Sequence, residues 1–552
     1  MKPRVFLPAV ASGVLLWAAF FPLNLGPVAF VALAPWLTLV RAPVSRRRRY
    51  LAAYVGGLAF FLPAVQWLRV AHPAMYVSWL GLAAVCPLFW VVGLALLRRL
   101  DRVPGVPLAA SVPAVWVGME YVRAHFPTGF DFLTHVGLHQ KAGFGWYFLG
   151  YSQHDFLPLV QVADLGGVYA VSAVVAAVNG LAAEWLMRSA AVRGALRWEA
   201  VPAPGLPRLL AATVGTAGLF AAAVGYGMVR LNHPEFTAGP RITAIQGSVP
   251  QFQKDNDGPS LGQTYADLHL RAAMANVPPD LIVWPETCFP GDWLAAAPGA
   301  APPPEASEQI ARCAAYFASQ GWRVPVLLGL GSVEWEGAEA WKYNSALLLT
   351  ATGAPVGRYD KIHLVPFGEY VPFRGTFPWL QMFTPYTGEY SCRPGARWTR
   401  FPLTTADGRP FTFACLICYE DSDPSLARRY AAPADGPPVD FFVNLSNDGW
   451  FDGAEEHEQH LAICRFRAVE CRRSVVRAVN MGISAVIDPD GRVVALPGPT
   501  WAASKKVEGV VTAAVPIDGR DSVYARHGDW LPGACWVVMV VGVIAGRRFG
   551  RA

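Results

Sequence analysis

A chain of 552 residues has room for two or more domains, but 53% hydrophobic residues, 16% charged residues and a mean hydropathy of +0.29 exclude a wholly soluble protein. Much of the net charge of +6 sits in short clusters, Arg46 to Arg49, Arg98, Arg99 and Arg102, and Arg547, Arg548 and Arg551, each beside a long apolar run. Residues that read nucleic acid would be interleaved with polar and aromatic ones on a folded face, so these clusters are membrane-topology signals and no nucleic-acid partner is expected.

Lys2 and Arg4 precede an apolar run, Val5 to Phe21, that is followed by more such runs and is therefore a first anchor rather than a signal peptide. A bilayer core needs roughly 20 apolar residues per helix. Runs that approach this lie near 5–21, 26–42, 51–71, 76–97, 105–123, 162–187, 208–231 and 530–546. With eight spans, the arginine-bearing gaps and both termini fall on one side, which the positive-inside rule makes cytoplasmic. The segment of about 235–525 and the loop of about 124–160 then face outward. The expected organisation is a membrane domain over 1–234, an outward α/β domain over 235–525, and a last span with a basic tail over 526–552.

In the outward segment, short apolar strands are expected at Ile242–Ile245, Leu281–Trp284, Val326–Leu330, Ala346–Thr350, Phe411–Ile417, Phe441–Asn444 and Ala485–Ile487, with helical stretches such as His269–Asn276 and Glu455–Arg473 between them. Thr352-Gly353 and Pro489-Asp490-Gly491 mark tight turns. Ala295–Pro304 and Ala431–Pro438 are Pro- and Ala-rich and read as surface excursions.

Three strand ends carry chemistry. Pro285 stops one strand and leaves Glu286 at its carboxyl end; Lys361 follows a second; Cys418 follows Phe411–Ile417, just before the helix-start signal Asp421-Ser422-Asp423-Pro424. Ligands bind at such strand ends in α/β sheets. A thiol has an ordinary pKa of about 8.5, which a nearby ammonium lowers; a carboxylate can take the thiol proton and return it to a leaving group; Lys361 can stabilise an oxyanion. A buried core cysteine and a nucleophile both fit the stretch around Cys418 taken alone. Cys415 and Cys418 form a C-x-x-C, but no second one follows, so a redox pair or zinc half-site ranks below a nucleophile, and neither metal nor cofactor is expected.

In these contexts Glu286, Lys361 and Cys418 resemble the triad of the nitrilase superfamily. With the membrane spans, Gly150-Tyr151-Ser152-Gln153, Ala163 to Tyr169, the run Lys361 to Pro372 and the run Asn444 to Phe451, nearly the whole chain resembles the apolipoprotein N-acyltransferases. The resemblance implies an α-β-β-α sandwich beside about eight transmembrane helices, in the bacterial inner membrane, with the sandwich in the periplasm. It implies acyl transfer from a phospholipid, through a Cys418 thioester, to the α-amino group of a diacylglyceryl-cysteine at the N-terminus of an apolipoprotein. Glu286 would be the base and Lys361 the oxyanion donor. Glu369, Tyr419 and Glu420 would orient them. A monomer is expected.

Asp255 departs from the family, where tryptophan often follows the lysine here numbered Lys254, and that puts a lipid contact in doubt. Phe377 to Phe383 reads as a lid dipping into the bilayer interface or as a packed core segment. His457-Glu458-Gln459-His460 has its histidines three apart instead of four and reads as a solvated helix face; Asn447 to Trp450 reads as a pocket wall. Two alternatives remain: a membrane-tethered amidase or nitrilase that transfers the acyl group to water, and a non-catalytic membrane protein whose outer domain only binds lipid or lipoprotein.

Overall fold

The computed structural model describes residues 3–130, 133, 140–384 and 390–549. Part of the expected outward loop of 124–160, and Arg551 of the basic tail, lie outside the described residues. The chain divides into two compact units, Met1–Arg69 with Pro73–His233 and His527–Ala552, and Val70–His72 with Pro234–Arg526.

The first unit is helical. Among the described residues, four helices are long and apolar enough to cross a membrane: Arg46–Ala71, Met75–Leu100, Val168–Arg188 and Leu206–Asn232. Shorter apolar helices cover Phe6–Ala18, Gly26–Arg41, Leu157–Gly166 and Trp530–Gly546. Leu108–His125 is a further helix, with Glu120 and Arg123 on it. The expected run 162–187 is broken at Gly167, whose φ of +69° ends one short helix and starts the next.

Small residues let these helices touch. A Cβ on Gly13 would lie 2.4 Å from the Gly56 carbonyl, and one on Gly56 would lie 2.7 Å from that of Ala9, so the first helix packs backbone to backbone on Arg46–Ala64. The helical breaks near Gly26 and Leu33 free backbone groups that lipid could not satisfy. Buried Asn179 answers them, donating to the Ala29 carbonyl at 2.7 Å and accepting from the Leu33 amide at 2.7 Å.

The second unit carries two sheets among the described residues. Its strands are β1 (Phe236–Gln246), β2 (Leu281–Val283), β3 (Asp292–Ala296), β4 (Val326–Glu336), β5 (Glu339–Leu349), β6 (Pro355–Asp360), β7 (Phe401–Thr404), β8 (Pro410–Ile417), β9 (Phe441–Ser446), β10 (Ser474–Val479), β11 (Ala485–Ile487), β12 (Val493–Ala495) and β13 (Gly509–Asp518). The first sheet runs β13-β1-β2-β4-β5-β6, with β3 pairing β4; the second runs β12-β11-β10-β9-β8-β7. The Thr352-Gly353 and Pro489-Asp490-Gly491 turns join β5 to β6 and β11 to β12 in antiparallel pairs, with Gly353 and Gly491 at φ of +80° and +82°. The expected excursion at Ala295–Pro304 is partly strand: Ala295 and Ala296 end β3, paired to Glu334 and Trp335 of β4.

Alternation along the strands sorts the core into three layers. Ile242, Val283, Leu348 and Tyr359 from the first sheet meet Phe413, Cys415, Ile417, Val443 and Val476 from the second. On the other face of the first sheet, Ile282, Trp284 and Leu328 pack with Leu261, Tyr265 and Leu268 of helix Gly258–Ala273 and Phe317 of helix Pro304–Ser319. On the other face of the second sheet, Leu416 and Phe442 pack with Leu426 of helix Pro424–Ala431 and Leu461 and Cys464 of helix Glu456–Cys471. The unit is thus an α-β-β-α sandwich, each fully buried large aliphatic or aromatic side chain contributing about 1.5–3 kcal/mol of burial.

Helix Glu456–Cys471 corrects the expected solvated face at His457–His460: every residue in it is buried. The low hydrophobicity that suggests exposure comes from charges neutralised internally. Arg467 pairs Glu470 at 2.7 Å, Lys505 reaches Glu458 at 2.6 Å, and the Arg465 guanidinium lies 5.4 Å from the Trp501 ring, so the chain after β12 covers the helix.

Candidate active site

Glu286 leaves the carboxyl end of β2 in a turn that two neighbours shape. Gly329 of β4 has no side chain because a Cβ there would lie 2.1 Å from the Pro285 carbonyl oxygen. Lys254 donates to the Glu286 carbonyl at 3.1 Å and to the Thr287 hydroxyl at 2.6 Å, holding Thr287 at φ +48°. The Glu286 carboxylate is buried, and three donors fix it: Asn344 Nδ2 at 2.7 Å and Lys361 Nζ at 3.2 Å on Oε1, and the Asn447 amide at 3.1 Å on Oε2.

Lys361 follows β6 and is almost completely buried. Its ammonium also contacts Glu369 Oε2 at 2.9 Å, while Asn344 Nδ2 donates to Glu369 Oε1 at 2.8 Å and the Val365 amide donates to Oε2 at 2.7 Å. Asn344 therefore clamps both carboxylates to the one lysine. Burial alone would lower the Lys361 pKa, but Glu286 and Glu369 outweigh it and hold the amine well above its ordinary value.

Cys418 ends β8 in a strand-to-helix turn, with φ of +51° at the first residue of a short 3₁₀ segment, Cys418–Ser422. A left-handed non-glycine residue stores strain on the order of 1–3 kcal/mol, and here it falls on a half-buried thiol. Burial and the Glu286 charge push the thiol up to about 12, against a partial lowering by Lys361. The resting group is a thiol, so it needs a base at the moment of attack.

Glu420 is the tie between the Lys361 and Cys418 turns. Fully buried, it accepts from the Tyr359 hydroxyl at 2.8 Å and the Ile362 and His363 amides at 2.7 and 3.1 Å on one oxygen, and from the Ile417 amide at 2.7 Å on the other. Burial raises its pKa, while the Ile417 amide, Lys361 and the His363 amide pull the other way. Tyr419 is half-buried, and its carbonyl accepts from the Ser422 hydroxyl at 2.7 Å. Cys415 is fully buried in the core between the sheets, and Cys418, three residues on, packs half-buried against the edge of the same core.

The structure thus gathers Glu286, Lys361, Glu369, Cys418 and Glu420 at one edge of the sandwich. Asn344, Lys254, Gly329 and the Asn447 backbone amide were not apparent from sequence. Asn344 and Ser345 both interrupt the apolar second half of β5, and no local pattern tells which of them reaches Glu286. Among the described residues, Asp448, Glu456 and His460 place potential metal ligands within 4.8 Å of one another. The protein's own cations already fill that role: Asp421 and Asp448 outweigh burial and the nearby Arg477 charge to hold His460 protonated, and Arg477 pairs Asp448 at 2.8 Å. Such a set does not fit a metal ion.

The fold and this edge define a class. Residues 241–524 match the carbon-nitrogen hydrolase family, and residues 12–181 match the apolipoprotein N-acyltransferase N-terminal domain. A Geobacter metallireducens apolipoprotein N-acyltransferase is 32% identical, over 99% of this chain and 96% of its own; one from Rhodopirellula baltica is 29% identical, over 97% and 95%. The solved structure of Saccharomyces cerevisiae Nit3, a member of branch 10 of the nitrilase superfamily, is similar at a TM-score of 0.33 and 19% identity, covering 52% of this chain and 93% of that one. The chain belongs to the apolipoprotein N-acyltransferase family, and it is an acyltransferase with a carbon-nitrogen hydrolase domain.

Proposed function

We propose that the chain transfers an acyl group from a phospholipid to the α-amino group of an apolipoprotein's diacylglyceryl-cysteine, through a thioester on Cys418. The observation that carries this reading is the Glu286–Lys361–Glu369 ion cluster around a buried lysine, at the sheet edge that also presents Cys418 in a left-handed turn. Glu286 takes the Cys418 proton as sulfur attacks the ester carbonyl, and Lys361 stabilises the oxyanion. Collapse expels the lysophospholipid alkoxide, which receives that proton. In the second half the acceptor amine attacks the thioester, its proton passes to Glu286, and the cysteine sulfur leaves as thiolate and regains the proton. Glu369 and Asn344 hold Lys361 and Glu286 in register, Glu420 fixes the cysteine turn, and Tyr419 lies beside it. All these groups come from one chain, which supports a monomer.

The substrate reading also proposes where the unit works. The eight helical segments that coincide with the apolar runs would be eight spans, residues 1–234 and 526–552 the membrane domain, and residues 235–525 the catalytic domain on the periplasmic face of the inner membrane. The arginine clusters on the opposite side support this orientation. Phe377, Trp379 and Met382 are exposed, and none of the 3₁₀ segment Pro378–Phe383 is buried. A packed core segment is therefore excluded there, and a lid meeting the bilayer interface fits. Phe252, 80% exposed beside Asp255, offers an aromatic one turn from where the family often has tryptophan.

The test is purified full chain with phospholipid and a synthetic diacylglyceryl-lipopeptide. N-acylation of the peptide with stoichiometric lysophospholipid is expected. Release of free fatty acid with no acylated peptide would overturn the reading in favour of a hydrolase.

A further inference from the structure

Directly beneath the cysteine turn, Leu416 of β8, Asn444 of β9 and Arg477 of β10 lie in one row across three parallel strands. The row sits on the helix-covered face of the second sheet, and Asn444 and Arg477 are fully buried. The Arg477 guanidinium donates to Asn444 Oδ1 at 2.5 Å, which fixes the orientation of that amide. Asn444 Nδ2 is thereby turned to the carbonyls of Leu416, at 3.2 Å, and of Cys418, at 3.5 Å. The same Arg477 nitrogen reaches Asp421 Oδ2 at 3.3 Å, inside the Cys418–Ser422 turn. Its other terminal nitrogen meets Asp448 Oδ2 at 2.8 Å.

Asp448 adjoins Asn447, whose amide donates to Glu286 Oε2. The Asp448 side chain is held further by the Ser446 hydroxyl at 2.7 Å and by His460 at 3.1 Å, so the backbone on both sides of Asn447 is pinned. One guanidinium therefore has one arm on the nucleophile's turn and the other on the turn that aims a donor at the base. A buried charge cluster of this kind is often neutral or costly for stability compared with a well-packed apolar one. A planar fork, by contrast, sets the angle between two groups in a way the point charge of a lysine cannot.

We propose that Arg477, acting through Asn444 and Asp448, is a positioning residue that sets the Cys418 sulfur against the Glu286 carboxylate for acyl-enzyme formation. This rests on the thioester reading given above. Misplacement of reacting groups by about 1 Å costs on the order of a hundredfold in rate, whereas Leu416, Asn444 and Arg477 are fully buried and present no surface to a lipid. Arg477→Lys keeps the charge and loses the fork. Asn444→Asp keeps an acceptor for Arg477 and loses both donors to the cysteine turn.

The experiment measures single-turnover acylation of Cys418 from phospholipid, with kcat and KM, over a range of pH, in full-length detergent-solubilised chains. The expected result is a fall in kcat of at least about tenfold in both variants, with KM for phospholipid within twofold of wild type and an altered pH profile of acylation. Should Arg477→Lys fail to fold, Asn444→Asp decides alone. Wild-type kcat in Asn444→Asp, or a change carried by KM with kcat intact, overturns the proposal. Absence of acylation in the wild-type chain instead overturns the thioester reading itself, so the two failures are distinct.

Discussion

Replacing Lys361 by methionine tests the electrostatics of the edge most severely. The ammonium sits 3.2 Å from Glu286 and 2.9 Å from Glu369, with almost no exposure, and Asn344 Nδ2 is within 2.8 Å of both carboxylates. Removing it leaves the buried Glu286 carboxylate and the half-buried Glu369 carboxylate with only Asn344 and the Asn447 and Val365 backbone amides as donors, and breaking such a buried pair costs about 3–5 kcal/mol. For a unit of this size that lowers the unfolding temperature by on the order of 10 °C. Lys361 has a raised folded pKa, so its contribution is fully present below the ordinary lysine value of about 10.4 and is lost as pH rises through the folded value. Between pH 5 and pH 8 that contribution is constant, so the loss in Lys361→Met should be the same at both. Loss of the oxyanion donor should also cut acyl transfer by about a hundredfold to a thousandfold. Scanning fluorimetry across pH and a lipopeptide acylation assay read both effects; an unfolding temperature within 2 °C of wild type at pH 8 would refute the reasoning.

Three other outcomes follow from the geometry. Gly329→Ala drives a methyl group to within 2.1 Å of the Pro285 oxygen, so it should abolish acylation while leaving a folded sandwich by circular dichroism; an active variant would show that the Glu286 turn tolerates displacement. Because the Cys418 thiol is pushed up to about 12, its alkylation by iodoacetamide should still be climbing at about pH 9, and a plateau at neutral pH would contradict a protonated resting thiol. Changing Phe377, Trp379 and Met382 together to serine should raise KM for phospholipid in vesicles and spare turnover of a short-chain soluble ester. Equal losses on both substrates would mean the segment serves the chemistry and not the membrane.

The strands that end on Glu286 and Cys418 were legible because punctuation residues stop them, Pro285 in one case and the Asp421 to Pro424 helix start in the other. Strand β10 was not, since Arg477 interrupts its apolar run and only its pairs with Asp421 and Asp448 explain a charge there. For the same reason helix Glu456–Cys471 reads as solvated although it is buried: the charges that mimic a surface are neutralised by residues distant in the chain. β4 and β5 extend past their apolar halves to Glu336 and Glu339 because a hairpin at Gly337 pairs their polar ends. Asn344 and the Asn447 amide depend on tertiary placement, which no local pattern encodes. Of the eight apolar runs, four become helices long enough to cross a membrane by length and composition; elsewhere proline, glycine and the charges Glu120 and Arg123 shorten or dilute them.

The account stands or falls on what Cys418 carries. After incubation of the full chain with phospholipid and no acceptor, mass spectrometry of the peptide containing Cys418 should show the mass of one acyl chain, labile to hydroxylamine and discharged on adding the lipopeptide amine. An unmodified Cys418 thiol under conditions where the lipopeptide still becomes acylated would contradict it.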